Sequence, residues 1–367
     1  MGRKKSVSIE TIKQELTSPR HQHIGSVANK DLLGTGSTLL NLALSGRLDG
    51  GFAKGFVILL IGKPRSGKSW LSFNAMAEAS ISKEFADYRL IYDNPENGAH
   101  MDVKQYFGER LLEKLEPPAG TVEEPEHSAT VEDFYYNLDD ALKRGKPFLY
   151  VLDSMDALSS EDDDAQFQKE KNAAKKDKEV GGSYGTSKAK ANSKYLRVVT
   201  NKIAKSGSIV VIICQTRDNI GFSSRFNPET YSGGKSLGFY ARQVLWTSTK
   251  ERIKSPYRDK QVDVGGITQV KVTKNSISGW EGIIEFPISR FVGIDDTGSL
   301  VDFLVEWKHW KKNNGIVSAI EWELSLRRET LIEHIESEDL EEDLKTIVLG
   351  VWKDIEEATR IVRKKRY

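Results

Sequence analysis

Apolar runs and helical patterns alternate along the middle of this 367-residue chain. Two stretches, 70–83 and 131–144, repeat their apolar positions with the spacing of amphipathic helices. Around them lie runs that are almost continuously apolar, as in strands buried on both faces of a sheet. These runs are 55–61, 89–92, 148–152 and 208–214. The alternation of strands and helices predicts an α/β fold with a mostly parallel central sheet.

The regions outside this alternation suggest how the chain is divided. Residues 1–32 are polar and basic, and we interpret them as an N-terminal arm rather than a core element. The predicted core, 33–300, includes further strands and tight turns over 243–291. After residue 300 the pattern becomes helical and acidic, which predicts a small helical C-terminal domain over 301–367. The polar, Gly/Ser-rich segment 161–193 has no core pattern, so we expect a functional or disordered loop there.

A glycine-rich segment follows the first apolar run and opens a helical pattern. It reads Gly62-Lys63-Pro64-Arg65-Ser66-Gly67-Lys68-Ser69 and matches G-x-x-x-x-G-K-[ST] at every fixed position. The glycines let backbone N–H groups approach phosphates, and the helix N-terminus adds partial positive charge. We expect Lys68 to reach the β- and γ-phosphates and the Ser69 hydroxyl to bind Mg²⁺. Residues 62–70, which end at Trp70, are therefore the predicted nucleotide site.

Two further positions carry carboxylates at strand ends. Asp153 follows the run 148–152 and is a candidate Mg²⁺ ligand, although aspartate also commonly ends strands. Hydrolysis of a nucleoside triphosphate needs a group that positions the attacking water. Glu96, just beyond the run that ends at Tyr92, is the candidate, and Asp93 competes for the role. Either carboxylate could instead serve a turn or cap a helix.

The segment 217–234 has the composition of a single-strand binder. Arg217 and Arg225 could contact phosphates, while Phe222 and Phe226 could stack on or wedge between bases. An ordinary surface loop, or one whose phenylalanines fold into the core, is the alternative interpretation.

Charge and composition limit the classes of function. The formal net charge is +1, and no stretch approaches the roughly 18 apolar residues of a membrane span, so we expect no membrane partner. The single cysteine, Cys214, fits a reducing cytoplasm. Near-neutrality conceals opposed blocks, since 165–195 and 242–274 each carry a net +5 and 321–357 carries −9. The lysines of the first block either contact phosphates or form a solvated tract, so neutrality does not exclude a nucleic-acid partner.

Taken in order, these motifs resemble the RecA-type recombinases, including the phage UvsX-like branch. The resemblance covers roughly 33–305 and is carried by 34–44, 62–69, 152–154, 215–221, 227–234, 237–241 and 270–275. It implies a RecA-like P-loop ATPase core with an N-terminal oligomerisation arm, residues 1–32, and a C-terminal domain. It also implies an ATP- and Mg²⁺-dependent recombinase that forms helical filaments on single-stranded DNA and exchanges strands with a homologous duplex.

The resemblance also assigns roles to residues. Gln215 would sense the γ-phosphate, and Glu96 and Lys68 would both be catalytic, Glu96 as the carboxylate. Lys274 would reach the nucleotide of a neighbouring subunit, as an arginine finger does. The two DNA-binding loops would be about 164–193 and 217–234. The DNA-contacting candidates are Arg217, Asn219, Ile220, Gly221, Phe222, Arg225, Phe226, Gly233, Gly234 and Lys235.

Two positions depart from the family pattern. Asn94 and Pro95 separate Asp93 from Glu96, where the family usually has a single residue. Ser276 stands where bacterial relatives carry a second lysine that acts between subunits. Two alternative functions therefore stay open: a RecA-fold ring ATPase or helicase-like motor, and a nucleotide-dependent DNA-binding regulator with little turnover.

Overall fold

The computed structural model of the protein describes residues 27–98, 101–174, 187–218 and 229–363. Its strands are β1 (Leu32–Leu33), β2 (Phe52–Ala53), β3 (Val57–Gly62), β4 (Arg89–Asp93), β5 (Leu115–Glu116), β6 (Ala119–Gly120), β7 (Pro125–Glu126), β8 (Phe148–Leu152), β9 (Ile209–Asp218), β10 (Glu229–Tyr231), β11 (Gln243–Tyr257), β12 (Lys260–Asn275), β13 (Gly282–Ser289), β14 (Gly293–Ile294), β15 (Lys311–Asn313), β16 (Ile316–Ala319) and β17 (Leu324–Arg327). Its α-helices are α1 (Thr38–Ser45), α2 (Lys68–Ile81), α3 (Val103–Phe107), α4 (Glu109–Lys114), α5 (Val131–Lys143), α6 (Glu161–Ala174), α7 (Ser187–Ser206), α8 (Lys235–Tyr240), α9 (Asp296–Glu306), α10 (Arg328–Ser337) and α11 (Glu341–Thr359).

One large sheet organises the described residues. Its strand order is β14-β13-β12-β11-β3-β9-β8-β4-β5, and β10 pairs with β9 outside this path. The strands from β11 to β5 are parallel, and the edge from β11 to β14 is antiparallel. Every residue of β3 and β8 is buried, which accounts for their uninterrupted apolar sequence. The predicted α/β fold with a mostly parallel central sheet is confirmed.

Helices cover both faces of this sheet. Alternate residues of β3 belong to two different hydrophobic clusters, one shared with α2 and the other with α5 and α7. Local sequence sets where these helices begin. At α5 the Thr130 hydroxyl accepts from the Asp133 N–H at 3.0 Å, and the Asp133 carboxylate accepts from the Thr130 N–H at 2.9 Å. The predicted helices at 70–83 and 131–144 are confirmed as α2 and α5.

Helices occupy most of the polar segment that the sequence predicts to be a loop. Residues 161–174 form α6, residues 187–193 open α7, and 175–186 lie outside the described residues. The loop prediction is therefore wrong for the two helical parts. The buried stripe of α7 is narrow and includes a polar residue. Its members lie at helical spacing among lysines and are Ala191, Asn192, Leu196, Val199 and Ile203. The Asn192 amide is buried because it bonds the Tyr135 hydroxyl and the Gly233 carbonyl.

The C-terminal region contains more than helices. Strands β15, β16 and β17 form a three-stranded antiparallel sheet between α9 and α10. Trp310 and Trp352 from this region share a hydrophobic cluster with Leu33 and Phe52 near the other end of the described chain. The predicted boundary at residue 300 lies inside α9, and the division into domains stays a prediction. None of the helices among the described residues is long and apolar enough to cross a bilayer.

Candidate functional site

The carboxyl end of β3 runs into a short loop that leads to α2. At Gly62 an added Cβ would lie 2.3 Å from Thr247 Oγ1 and 2.4 Å from the Thr247 carbonyl oxygen, so a side chain is excluded. At Gly67, just before α2, the backbone φ is 91°, which glycine adopts readily. The first N–H groups of α2 have no partners within the helix, so the loop can cradle an anion. Lys63, Pro64, Arg65 and Ser66 lie in this loop, and Trp70 lies in the first turn of α2.

Lys68 is buried at the centre of this loop. Its Nζ donates to the Gly62 carbonyl at 2.8 Å and to the Lys63 carbonyl at 2.7 Å. Burial lowers the pKa of the Lys68 ammonium, and the nearby carboxylates of Asp153 and Glu96 oppose that shift. The ammonium is thus held where phosphate oxygens can compete with the loop carbonyls for its protons.

The Ser69 hydroxyl and the Asp153 carboxylate are in direct contact. Ser69 Oγ donates to Asp153 Oδ2 at 2.6 Å, and the Tyr92 hydroxyl donates to the same oxygen at 2.8 Å. Burial raises the pKa of Asp153, against the effect of these two hydrogen bonds. A hydroxyl and a carboxylate oxygen beside a phosphate cradle are the hard ligands that Mg²⁺ prefers. The residues present therefore fit an Mg²⁺–nucleotide complex, with Tyr92 as a partner that the sequence interpretation missed.

Glu96 contacts Ser154, which follows β8, and Gln215 of β9. The turn that carries it is closed by the Asn97 N–H, which donates to the Asn94 carbonyl at 3.0 Å. Glu96 Oε1 accepts from the Ser154 hydroxyl and, at 3.1 Å, from Gln215 Nε2. The structure thus brings together two predicted residues that are 119 positions apart and adds Ser154, which the sequence interpretation missed.

Asp93, the alternative to Glu96, is fully buried and bonded within the fold. Its Oδ1 accepts from the Ser128 N–H at 3.0 Å, and its Oδ2 accepts from the Ser128 hydroxyl at 2.6 Å and the Tyr150 hydroxyl at 2.7 Å. These bonds fix the end of β4 against the segment before α5. The geometry favours Glu96, which is exposed, as the carboxylate that can meet a water molecule.

The start of the second predicted DNA loop is tied to the nucleotide site. The Gln215 N–H donates to Asp156 Oδ2 at 2.6 Å, and Arg217 lies 3.4 Å from Asp156 Oδ1. On the far side of the loop, Glu229 of β10 forms an ion pair with Lys63 of the phosphate loop at 3.0 Å. Several of the DNA-contacting candidates lie outside the described residues: Asn219, Ile220, Gly221, Phe222, Arg225 and Phe226.

The remaining candidates, Gly233, Gly234 and Lys235, lie within the described residues. The φ values of Gly233 and Gly234 are 87° and 85°, conformations that favour glycine. Lys235 is the first residue of α8. At the other end of that helix, Lys274 Nζ donates to the Gly238 carbonyl at 3.0 Å and the Phe239 carbonyl at 2.8 Å. The predicted role of Lys274 requires a second subunit and stays a prediction.

One lysine of the first predicted DNA loop lies at the base of the second. Lys188 Nζ donates to the Asp156 carbonyl at 3.3 Å, and burial and the nearby Arg217 guanidinium lower its pKa. Positive charge from both segments therefore converges beside Gln215.

Comparisons with known proteins identify relatives of this chain. A family model described as the RecA N-terminal domain matches residues 149–295. The Protein RecA of Chlorobaculum parvum is 30% identical over 312 residues, which cover 84% of this chain and 80% of the relative. The Protein RecA of Chlorobaculum tepidum is 30% identical over 313 residues, with the same coverage of 84% and 80%. The Protein RecA of Chloroherpeton thalassium is 28% identical over 330 residues, 89% of this chain and 83% of the relative.

Proposed function

This chain belongs to the RecA family of ATP-dependent DNA recombinases, and we propose that one connected site couples its ATP hydrolysis to its DNA loops. Family membership makes it a nucleotide-binding, DNA-dependent ATPase and favours a recombinase over a ring motor or a regulator with little turnover. Its placement in the phage UvsX-like branch stays a prediction.

ATP and Mg²⁺ are the proposed ligands of the phosphate loop. The backbone N–H groups within residues 62–70, except at Pro64, and the Lys68 ammonium would hold the phosphates, and Ser69 and Asp153 would hold Mg²⁺. When bound, Mg²⁺ neutralises charge that develops on the β- and γ-phosphate oxygens. The direct contact between Ser69 and Asp153 supports this assignment, because Ser69 Oγ and Asp153 Oδ2 lie 2.6 Å apart beside the loop.

The hydrogen bond between Gln215 and Glu96 is the observation that carries the proposal. Glu96 would position the attacking water, and Gln215 would contact the γ-phosphate. Gln215 lies in β9, which leads into the loop 217–234, and its amide bonds the carboxylate of Glu96 at 3.1 Å. A change at the γ-phosphate would therefore reach the DNA loop through one side chain. ATP would favour the DNA-binding conformation because it binds that conformation more tightly.

The proposed partners are single-stranded DNA, a homologous duplex and further copies of this chain. The segments 164–193 and 217–234 would hold the single strand, with Arg217, Lys188 and Lys235 supplying positive charge among the described residues. Lys274 would act on the nucleotide of the neighbouring subunit within a helical filament.

ATP hydrolysis with and without single-stranded DNA, followed by electron microscopy of the same mixtures, tests this proposal. We expect DNA to stimulate hydrolysis and the protein to form open helical filaments. Lys68→Ala should lose hydrolysis, whereas Lys104→Ala, which removes an exposed lysine paired with Glu109, should keep it. Closed rings would favour the motor, and hydrolysis that DNA does not stimulate would favour the regulator.

A further inference from the structure

The turn that presents Glu96 is held by a side chain from another part of the fold. Its first residue, Asn94, donates its backbone N–H to His127 Nδ1 at 3.1 Å. His127 lies between β7 and α5, more than thirty residues along the chain. The turn is also the place where this chain has both Asn94 and Pro95 between Asp93 and Glu96.

The position of His127 is fixed by its neighbour. Ser128 is buried and donates its N–H and its hydroxyl to the two oxygens of Asp93, at 3.0 Å and 2.6 Å. Asn137 of α5 donates in turn to the Ser128 hydroxyl at 3.0 Å. The backbone next to His127 therefore cannot move away from the end of β4, and the imidazole is kept against the turn.

The bond to Asn94 requires one protonation state of the ring. A backbone N–H can only donate, so Nδ1 must carry a lone pair and the imidazole must be neutral, with its proton on Nε2. The charged group that faces Nδ1 is Asp93 of β4, whose Oδ1 lies 3.6 Å away. Tyr150 of β8 bonds the other oxygen of that carboxylate. A proton on Nδ1 would remove the acceptor for Asn94 and draw the ring toward Asp93.

We propose that His127 is a positioning residue for the ATPase reaction. Its ring accepts the Asn94 N–H and so holds the turn that presents Glu96 to Ser154 and Gln215. This inference rests on the proposed role of Glu96 in positioning water. It makes the chemical step depend on a residue outside the phosphate loop.

Two substitutions distinguish the contribution of the hydrogen-bond acceptor, Nδ1, from that of the size of the imidazole ring. His127→Asn places an oxygen, Oδ1, close to the position of Nδ1, whereas His127→Ala removes the acceptor. DNA-stimulated ATP hydrolysis would be measured for both variants and the wild type at saturating ATP and Mg²⁺. A fluorescent ATP analogue would report nucleotide binding separately.

We expect His127→Ala to lower kcat about tenfold, as loss of one partly buried hydrogen bond implies, with KM for ATP unchanged. His127→Asn should restore most of that loss. A wild-type kcat in His127→Ala, or a kcat in His127→Asn as low as that in His127→Ala, would overturn the inference. A variant that folds poorly would also lose binding of the fluorescent analogue, so the binding measurement separates misfolding from loss of the hydrogen bond.

Glu96→Gln distinguishes failure of this inference from failure of its premise. If Glu96→Gln hydrolyses ATP at the wild-type rate, the proposed role of Glu96 is wrong. If Glu96→Gln is inactive while His127→Ala is normal, only the role of His127 is wrong.

Discussion

Replacing Gln215 with alanine removes the side-chain amide that would connect the nucleotide site to the DNA loop. The side chain donates to Glu96 Oε1 at 3.1 Å, and the substitution removes that bond. The backbone N–H of the same residue donates to Asp156 at 2.6 Å, and this bond remains. The start of the proposed DNA loop therefore stays anchored while the contact with the proposed catalytic carboxylate is lost.

The expected size of the effect follows from this single contact. A hydrogen bond to a charged group contributes about 1.5–3 kcal/mol. Both side chains are partly open to solvent, so the lower limit applies, and about 1.4 kcal/mol corresponds to about a tenfold change. We expect the ratio of kcat with DNA to kcat without DNA to fall about tenfold in Gln215→Ala. KM for ATP should stay within about twofold, because Lys68, Ser69 and Asp153 are untouched.

The assay is steady-state ATP hydrolysis at saturating ATP, with and without single-stranded DNA. Gln269→Ala is a matched control, because Gln269 Nε2 donates to Glu285 Oε1 at 2.8 Å between β12 and β13, an equivalent pair elsewhere in the sheet. The control should keep its stimulation by DNA. Full stimulation in Gln215→Ala, or an equal loss in Gln269→Ala, would refute the coupling path.

Three other substitutions test separate parts of the structure. Asp93→Ala leaves three buried donors without an acceptor and should lower the free energy of unfolding by about 3 kcal/mol, measured by urea denaturation. Lys345→Met removes the cation beside Glu78 and Asp296, two carboxylates whose pKa values are raised by burial. The substitution should lower Tm by more at pH 8 than at pH 5, because protonation of these carboxylates at the lower pH relieves the buried negative charge. Asp153→Asn should raise the Mg²⁺ concentration for half-maximal ATPase activity at least about tenfold, as loss of an anionic ligand implies. In the wild type the same Mg²⁺ concentration should rise at acid pH, because burial raises the pKa of the Asp153 carboxyl.

Local sequence was sufficient to place the phosphate loop between a strand and a helix. The phosphate loop is contiguous, and the apolar run before it and the helical pattern after it became β3 and α2. Glu96 and Gln215 were predicted separately, and their contact follows from a general property of parallel sheets, whose strand ends share one edge. That contact could have been inferred once both runs were interpreted as parallel strands.

Features that depend on tertiary contacts were not predicted. Strands β15 to β17 have at most four residues each, too few to show a clear alternation. Helix α7 buries a narrow stripe that includes the polar Asn192, and the surrounding lysines conceal the pattern. Tyr92, Ser154 and His127 act through hydrogen bonds to residues distant in sequence, so no local motif marks them.

Formation of joint molecules between a circular single strand and a linear homologous duplex tests the central claim most directly. With ATP and Mg²⁺, the wild-type protein should form joint molecules only when the two DNAs share sequence. Lys68→Ala should form none, because its phosphate loop lacks the ammonium that would hold ATP. Joint molecules at the wild-type rate with Lys68→Ala, or with the wild type in the absence of ATP, would contradict an ATP-dependent recombinase.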